Sequence, residues 1–144
     1  MAGPALRREV TPAFMNNRAT GTFIDMMGVT FERIELGDVK AHMLIRPDHL
    51  APNGYLHAAS IIALADSCCG GATIAHLPDG AENFTTIELK SNHLGTLTEG
   101  ILDCVATVAH AGRTTQVWDA LVTARETGHS IALFRCTQMV LWPK

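Results

Sequence analysis

The chain has 144 residues, of which 47% are hydrophobic and 17% charged, with a formal net charge of −3. This length suits a single domain with a core of its own, and we predict one domain over residues 1–144. The eleven basic residues are scattered along the chain, which argues against a nucleic-acid-binding surface. The four cysteines require no disulfides, and the N-terminus, MAGPALRREV, lacks the apolar core of a secretory signal. No uninterrupted apolar run reaches membrane-spanning length, so we expect a cytoplasmic protein that does not associate with membranes.

Two short helices and a pair of strands are predicted in the first third of the chain. Residues 1–10 are expected to form a loose arm, so that residues 1–20 combine this arm with a short helix. Thr11 and Pro12 suit the N-cap and the first position of that helix, and Gly28 would end the second. Gly37-Asp38 suits a hairpin connection between the strands. The predicted ranges are Thr11–Ala19 and Thr22–Met27 for the helices, and Val29–Leu36 and Val39–Arg46 for the strands.

The run from Pro52 to Gly71, PNGYLHAASIIALADSCCGG, predicts a turn followed by a long helix that starts near Tyr55 to His57. No charged stripe lines this helix, so it should be enclosed on nearly all sides. Asp66 is its one carboxylate. Because an unpaired buried charge is costly, Asp66 should be neutralised, be paired, or face a cleft where its charge is used.

Four strands are predicted after a loop rich in turn-forming residues. They alternate with a period of two, and their two faces differ little in polarity. We therefore expect an α+β fold in which an antiparallel sheet wraps around one long helix. The other face of the sheet should be covered by another chain. The predicted loop is His76–Asn83, and the strands are Phe84–Leu94, Ile101–His110, Thr114–Arg125 and Ser130–Trp142.

Two places on the long helix could carry chemistry. The first is its start, where unpaired N–H groups and the positive end of the helix dipole stabilise a polarised carbonyl oxygen; the candidates are Asn53, Gly54, His57 and Ala58. The second is Asp66, which follows His57 by nine residues, or about 13 Å of helix. The two places cannot act on one carbonyl within one chain. If both serve one site, Asp66 must come from a second copy, which predicts a dimer.

These residues resemble a known family. The order of elements, G-Y-L-H-A at the helix start, an Asp nine residues after the His, and T-T-I-E-L-K-S-N on the next strand are similar to the hotdog-fold acyl-CoA thioesterases of the phenylacetic-acid-degradation type. The resemblance implies that the amide of Ala58 holds the thioester carbonyl. It also implies that Asp66, from across the dimer, acts as nucleophile or as base for water. Thr86 best matches the hydroxyl residue that assists the carboxylate, with Thr85 second.

The chain departs from the family pattern at two positions. Many members have Gly directly after the His, where this chain has Ala58. Many also have Asn or Gln six residues before the His, a position held here by Ala51, while Asn53 lies four residues before it. Either Asn53 takes over that role, or the assistance is missing and the chemistry is slower or different.

The resemblance further implies an acyl-CoA substrate and surface contacts to its coenzyme A portion. No cofactor is expected, because thioester hydrolysis requires no metal, and the dispersed His and Cys residues lack the spacing of a metal site. An apolar second sheet face favours a dimer of dimers. The candidate coenzyme A contacts are Lys90, Ser91, Asn92, His93, Gly112, Arg113 and Thr114.

Two other functions fit the same pattern. One is a hotdog hydratase or dehydratase acting on enoyl or hydroxyacyl thioesters. The other is a non-catalytic acyl-CoA-binding module in which Asp66 is structural, and the missing polar group at Ala51 is its best support.

Overall fold

The computed structural model describes residues 3–144, so the first two residues of the predicted arm lie outside the described residues. The elements follow the predicted order of two short helices, two strands, one long helix and four strands. A short 3-10 turn over Pro47–His49 ends the second strand two residues earlier than predicted, because Pro47 redirects the chain there. The helices are α1 Pro12–Ala19, α2 Phe23–Met27 and α3 Ala58–Ala75. The strands are β1 Val29–Glu35, β2 Asp38–Leu44, β3 Asn83–His93, β4 Ile101–Ala111, β5 Thr115–Ala124 and β6 Ser130–Leu141.

All six strands form one antiparallel sheet in the order β1-β2-β4-β5-β6-β3. Helix α3 packs on one face of the sheet and contacts every strand. The predicted α+β arrangement of a sheet around one helix is therefore confirmed. The chain leaves two edges, β1 and β3, and nearly every residue of β3 is exposed.

Helix α3 forms the centre of the core. Its composition and length would allow it to span a membrane, but 67% of the helix is buried inside the protein, as in a core helix. Cys68, Cys69, Cys104 and Cys136 are free, as expected of cysteines that require no disulfides, and all four are buried. On the outer face of the sheet, Leu121, Leu133 and Met139 remain exposed beside the Asp119–Arg135 ion pair.

The N-terminal segment differs from the predicted loose arm. The Arg7 N–H donates to the carbonyl of Ala75, and its guanidinium donates to the carbonyls of Leu77, Pro78 and Ala81 at 2.7 to 3.0 Å. These carbonyls lie at and just beyond the end of α3, where helices leave backbone acceptors unpaired. Val10 is also buried. Arg7 thus holds the segment against the domain.

Local signals place the two short helices correctly. The Thr11 hydroxyl accepts from the Phe14 N–H at 3.1 Å, and Pro12 opens α1. Gly28 ends α2 with a left-handed φ of 79°. The Asn16 side chain adds a contact that sequence reasoning missed: its amide donates to the Phe31 carbonyl and accepts from the Phe31 N–H. This pair of bonds covers part of the free edge of β1.

Candidate active site

A tight turn leads into helix α3. The Asn53 side-chain oxygen accepts from the Tyr55 N–H at 3.1 Å, and the Ala51 N–H donates to the Tyr55 carbonyl at 2.7 Å. Gly54 has a left-handed φ of 86°, with open space where a Cβ would be. Glycine is therefore favoured by the backbone conformation rather than by a close neighbour. The oxygen of Asn53 shapes the turn, while its amide group stays exposed to solvent.

The start of α3 leaves one backbone donor free. His57 is the N-cap, and its Nδ1 accepts from the Ala59 N–H at 2.9 Å. The His57 carbonyl accepts from the Ser60 N–H. Within residues 3–144 the Ala58 N–H has no acceptor, and Ala58 is exposed. The positive end of the helix dipole thus presents this N–H to whatever binds there.

His49 holds the start of α3 in place through hydrogen bonds. This buried residue accepts at its carbonyl from the His57 N–H at 3.0 Å and from the Ser60 hydroxyl at 2.8 Å. Its Nδ1 accepts from the Arg46 N–H at 3.0 Å. Burial lowers the pKa of His49, which favours the neutral ring. Sequence reasoning treated His49 only as one of several dispersed histidines, because its partners meet only in the folded chain.

Asp66 lies midway along α3 and faces a cleft of about 410 Å³. Its Oδ1 is buried without a hydrogen-bond partner among the described residues. Burial raises the pKa of the Asp66 carboxyl. Of the three predicted options for this carboxylate, facing a cleft is the one observed. The cleft is lined by Met15, Arg18, Phe23, Ile24, Ala59, Ile62, Ala63, Asp66, Ser67, Gly70, Gly71, Ile74, Asn83 and Phe84.

The two candidate places are held apart by the helix itself. Helix α3 runs from Ala58 to Ala75. Ala58 and Asp66 are therefore separated by eight residues, or about 12 Å along the axis. One thioester carbonyl cannot contact both groups of the same chain.

The predicted assisting hydroxyl is not in contact with Asp66 within one chain. Thr86 pairs with buried Gln138, so it lies on the helix side of β3, whereas Thr85 pairs with exposed Met139 on the other side. Neither threonine lines the Asp66 cleft. Of the two, Thr86 lies on the face that bears α3, and its role stays a prediction.

The predicted coenzyme A contacts form two groups at opposite ends of the sheet. The turn containing Gly112, Arg113 and Thr114 lies next to Met139 and Val140 of β6, since Thr115 pairs with Met139 and the Val140 N–H donates to the Thr114 carbonyl. His93 pairs with Ala132 at the other end of β6, beyond Lys90, Ser91 and Asn92. Seven residues of strand, roughly 23 Å, separate the two pairing positions. The groups cannot bind one phosphate within one chain.

A second cleft of about 440 Å³ adjoins the first of these groups. Gly112, Arg113 and His76 line it together with residues of the N-terminal segment. The Arg113 guanidinium stacks on the Trp142 ring, with its Cζ 4.4 Å from the ring centroid. Stacking restricts the side chain while leaving its N–H groups available to an anion.

The cleft around Asp66 includes residues that sequence reasoning missed, chiefly Arg18, Ser67 and Phe84. Phe23 of α2 also lines the cleft. Ser67 directly follows Asp66, so adjacency could have suggested it. Nothing in the linear sequence relates Arg18 to Asp66.

Comparison with known proteins gives consistent matches. Residues 53–131 match the model of the family described as the thioesterase superfamily. A 1,4-dihydroxy-2-naphthoyl-CoA hydrolase from Listeria monocytogenes is 29% identical over 114 residues, which cover 78% of this chain and 90% of the relative. A proofreading thioesterase from Klebsiella pneumoniae is 27% identical over 118 residues, covering 82% and 85%. The crystal structure of a mutant thioesterase from Pseudomonas aeruginosa has a TM-score of 0.88 at 27% identity and covers 94% of this chain and 97% of that one.

Proposed function

The chain belongs to the thioesterase superfamily, and we propose that it hydrolyses acyl-CoA thioesters to a carboxylic acid and coenzyme A. It is a hotdog-fold enzyme, and its relatives are named for thioester hydrolysis. One of these names specifies a coenzyme A thioester. Acyl-CoA is therefore the substrate class we assign to this chain. These names favour hydrolysis over hydration of an enoyl thioester and over binding without turnover.

One observation carries the proposal: helix α3 presents a free Ala58 N–H at its start and an unpaired Asp66 carboxyl to a cleft. The N–H suits the carbonyl oxygen of a thioester, which gains negative charge as the carbonyl carbon is attacked. The His57 ring leaves that donor free because it caps the Ala59 N–H instead. Asp66 supplies the second function, as general base or as nucleophile.

The reaction can follow either of two routes. As base, Asp66 takes a proton from water, and the hydroxide adds to the thioester carbon. The C–S bond then breaks, and the coenzyme A thiolate leaves with the proton from Asp66. As nucleophile, Asp66 itself adds to the carbon, expels the thiolate and forms an anhydride that water hydrolyses. Neither route calls for a metal or a cofactor.

We propose that each site is shared by two chains, with Asp66 from one and Ala58 from the other. The 12 Å along the axis between these residues in one helix requires it. Strand β3 offers the joining surface: it is an edge strand with exposed Ile87 and Leu89. A second copy along β3 would also allow the two groups of predicted coenzyme A contacts to come from different chains. The exposed leucines and Met139 on the outer sheet face support further pairing into a tetramer.

The proposal is tested by two variants that each remove one function. Asp66→Asn removes the base or nucleophile. Ala58→Pro removes the N–H at the first helical position, where proline is well tolerated, and the extended ψ of 134° at His57 suits a following proline. Each variant should lose at least about a hundredfold in kcat/KM for release of free thiol from acyl-CoA. Circular dichroism should show unchanged folding, and gel filtration should show an unchanged oligomeric state.

Mixing the two variants tests the shared site. In a dimer of one Asp66→Asn chain and one Ala58→Pro chain, one site carries both defects and the other is intact. Co-expressed chains should therefore recover about a quarter of the wild-type activity, because half of the dimers are mixed. If the co-expressed chains recover no activity, Asp66 and Ala58 of the same chain serve one site. Full activity in Asp66→Asn alone would refute the proposed function, and crotonyl-CoA hydration serves as the assay for the hydratase alternative.

A further inference from the structure

Arg18 is an unpaired cation in the cleft that contains Asp66. It lies in the last turn of α1, is exposed to solvent, and lines the same cleft. Arg33, Arg125 and Arg135 pair with carboxylates. Arg18 forms neither an ion pair nor a side-chain hydrogen bond within residues 3–144. Its guanidinium is thus free to bind a group that enters the cleft.

The rest of the cleft wall indicates which kind of group Arg18 could bind. Most of the lining is apolar, with Met15, Phe23, Ile24, Ile62 and Phe84 among its residues. An acyl chain of purely hydrocarbon character would fit these side chains but would leave the guanidinium without a partner. An arginine binds carboxylate well, because its two parallel N–H groups match the two oxygens, and the apolar side chains around it would hold the hydrocarbon part of such a group.

The position of Asp66 restricts where an anion could sit. The thioester carbon must reach Asp66, so the acyl group extends from there into the cleft. A negative charge close to Asp66 would be repelled by its carboxylate. Arg18 and Asp66 line one cleft and form no ion pair with each other within residues 3–144. An anion is therefore favoured only at the end of the acyl group distant from the thioester.

We infer that Arg18 selects acyl groups that combine an apolar body with a carboxylate at the end distant from the thioester. This inference rests on the proposed function, and it adds a specificity-determining residue on α1 to the groups carried by α3. The substrates it favours are monothioesters of dicarboxylic acids. Hydrocarbon acyl groups of the same shape should be poorer substrates.

Matched substrate pairs test the inference. One pair is 4-carboxybenzoyl-CoA and 4-methylbenzoyl-CoA, and the other is suberyl-CoA and octanoyl-CoA. The wild-type enzyme should prefer the carboxylate in at least one pair by about tenfold in kcat/KM. Arg18→Met keeps the unbranched stem without the charge, and it should abolish this preference by lowering kcat/KM for the carboxylate member far more than for the uncharged one. Arg8→Met, which changes an exposed arginine outside the Asp66 cleft, should leave the preference intact.

Measuring how the substrate pairs bind to a variant that cannot turn them over separates this inference from the proposed function. Calorimetry with Asp66→Asn should give a lower Kd for the carboxylate member, and the Asp66→Asn, Arg18→Met double variant should lose that difference. If neither pair is hydrolysed but the difference in Kd is found, the proposed function fails and the selection by Arg18 stands. Equal kcat/KM values within both wild-type pairs would overturn the selection. So would an equal loss for both members in Arg18→Met, since that result indicates a structural role.

Discussion

The ring of Phe31 on β1 occupies the space where a side chain on Gly71 of α3 would lie. A Cβ built on Gly71 would be 2.6 Å from the Phe31 Cζ, and closer still to its Cε1. The absence of a side chain at Gly71 thus lets the central helix approach the sheet at the wall of the Asp66 cleft. The neighbouring Gly70 is less restricted, because a Cβ there would be 3.2 Å from the edge of the Phe84 ring.

Gly71→Ala should destabilise the protein by about 2 kcal/mol, because overpacking against Phe31 outweighs the better helix propensity of alanine. Gly70→Ala is the matched control and should be neutral or stabilising by up to about 1 kcal/mol. Urea unfolding of both variants measures the difference. Equal stability of the two would mean that Phe31 moves aside at little cost.

Asp66→Asn should stabilise the folded protein at neutral pH. The raised pKa of Asp66 means that the folded state binds more protons than the unfolded state between the ordinary value of 3.8 and the raised one. Stability therefore falls as the pH rises through that window, and at pH 7 the ionised carboxylate is a cost. The difference in Tm between variant and wild type should grow from pH 4 to pH 7. Asp79→Asn, at an exposed carboxylate, should leave Tm unchanged, and a lower Tm for Asp66→Asn at pH 7 would contradict the prediction.

The raised pKa of Asp66 also predicts how kcat/KM falls at acidic pH. Both routes require an ionised Asp66, so the kcat/KM of the wild-type enzyme should begin to fall at a higher pH than the ordinary aspartate pKa of 3.8 would give. Thiol release measured across the acidic range gives this pH dependence. If kcat/KM falls only at or below the ordinary pKa of aspartate, substrate binding restores a polar environment to the carboxylate.

Arg7→Met should cost about 2 kcal/mol of stability, because the carbonyls of Leu77, Pro78 and Ala81 lose a charged donor. Arg7→Lys should recover only part of this, since an ammonium group does not reproduce the fork of the guanidinium. The exposed Arg8→Met is the control. Hydrogen exchange should show faster exchange in residues 76–82 for Arg7→Met only, and unchanged protection there would argue against this role.

His76 should make the fold sensitive to acid. Its Nε2 accepts from the Gly37 N–H at 2.9 Å, and its Nδ1 lies 2.7 Å from the Ala72 carbonyl and donates to it. Burial lowers the pKa of His76 from its usual value of 6.5. The unfolded state therefore binds more protons below about pH 6.5, and stability is lost as the pH falls, by at most about 1.4 kcal/mol per pH unit for one histidine. Urea unfolding at pH 7.5 and 5.5 should show a smaller loss in His76→Asn than in wild type, and an equal loss would exclude His76 as a cause.

Much of the fold followed from local patterns in the sequence. Thr11-Pro12 and Gly28 indicated the short helices because capping involves neighbours along the chain. The apolar run around Asp66 indicated an enclosed helix, and the nine residues from His57 to Asp66 set a separation that holds in any continuous helix. The order of elements was predicted in the same way.

The site could be predicted only in part, and the reason is physical. Asp66 and Ala58 stand out because their own helix gives them an unusual environment. Arg18 shares the cleft with Asp66, and Arg7 binds carbonyls about seventy residues away. Those contacts arise only when distant segments pack together, so no local periodicity records them. The sequence by itself determined the elements and the helix that carries the chemistry. Tertiary structure alone decided that β3 pairs with β6 as an edge strand and that α1 lines the Asp66 cleft, because packing of distant surfaces selects the neighbours of each strand and helix.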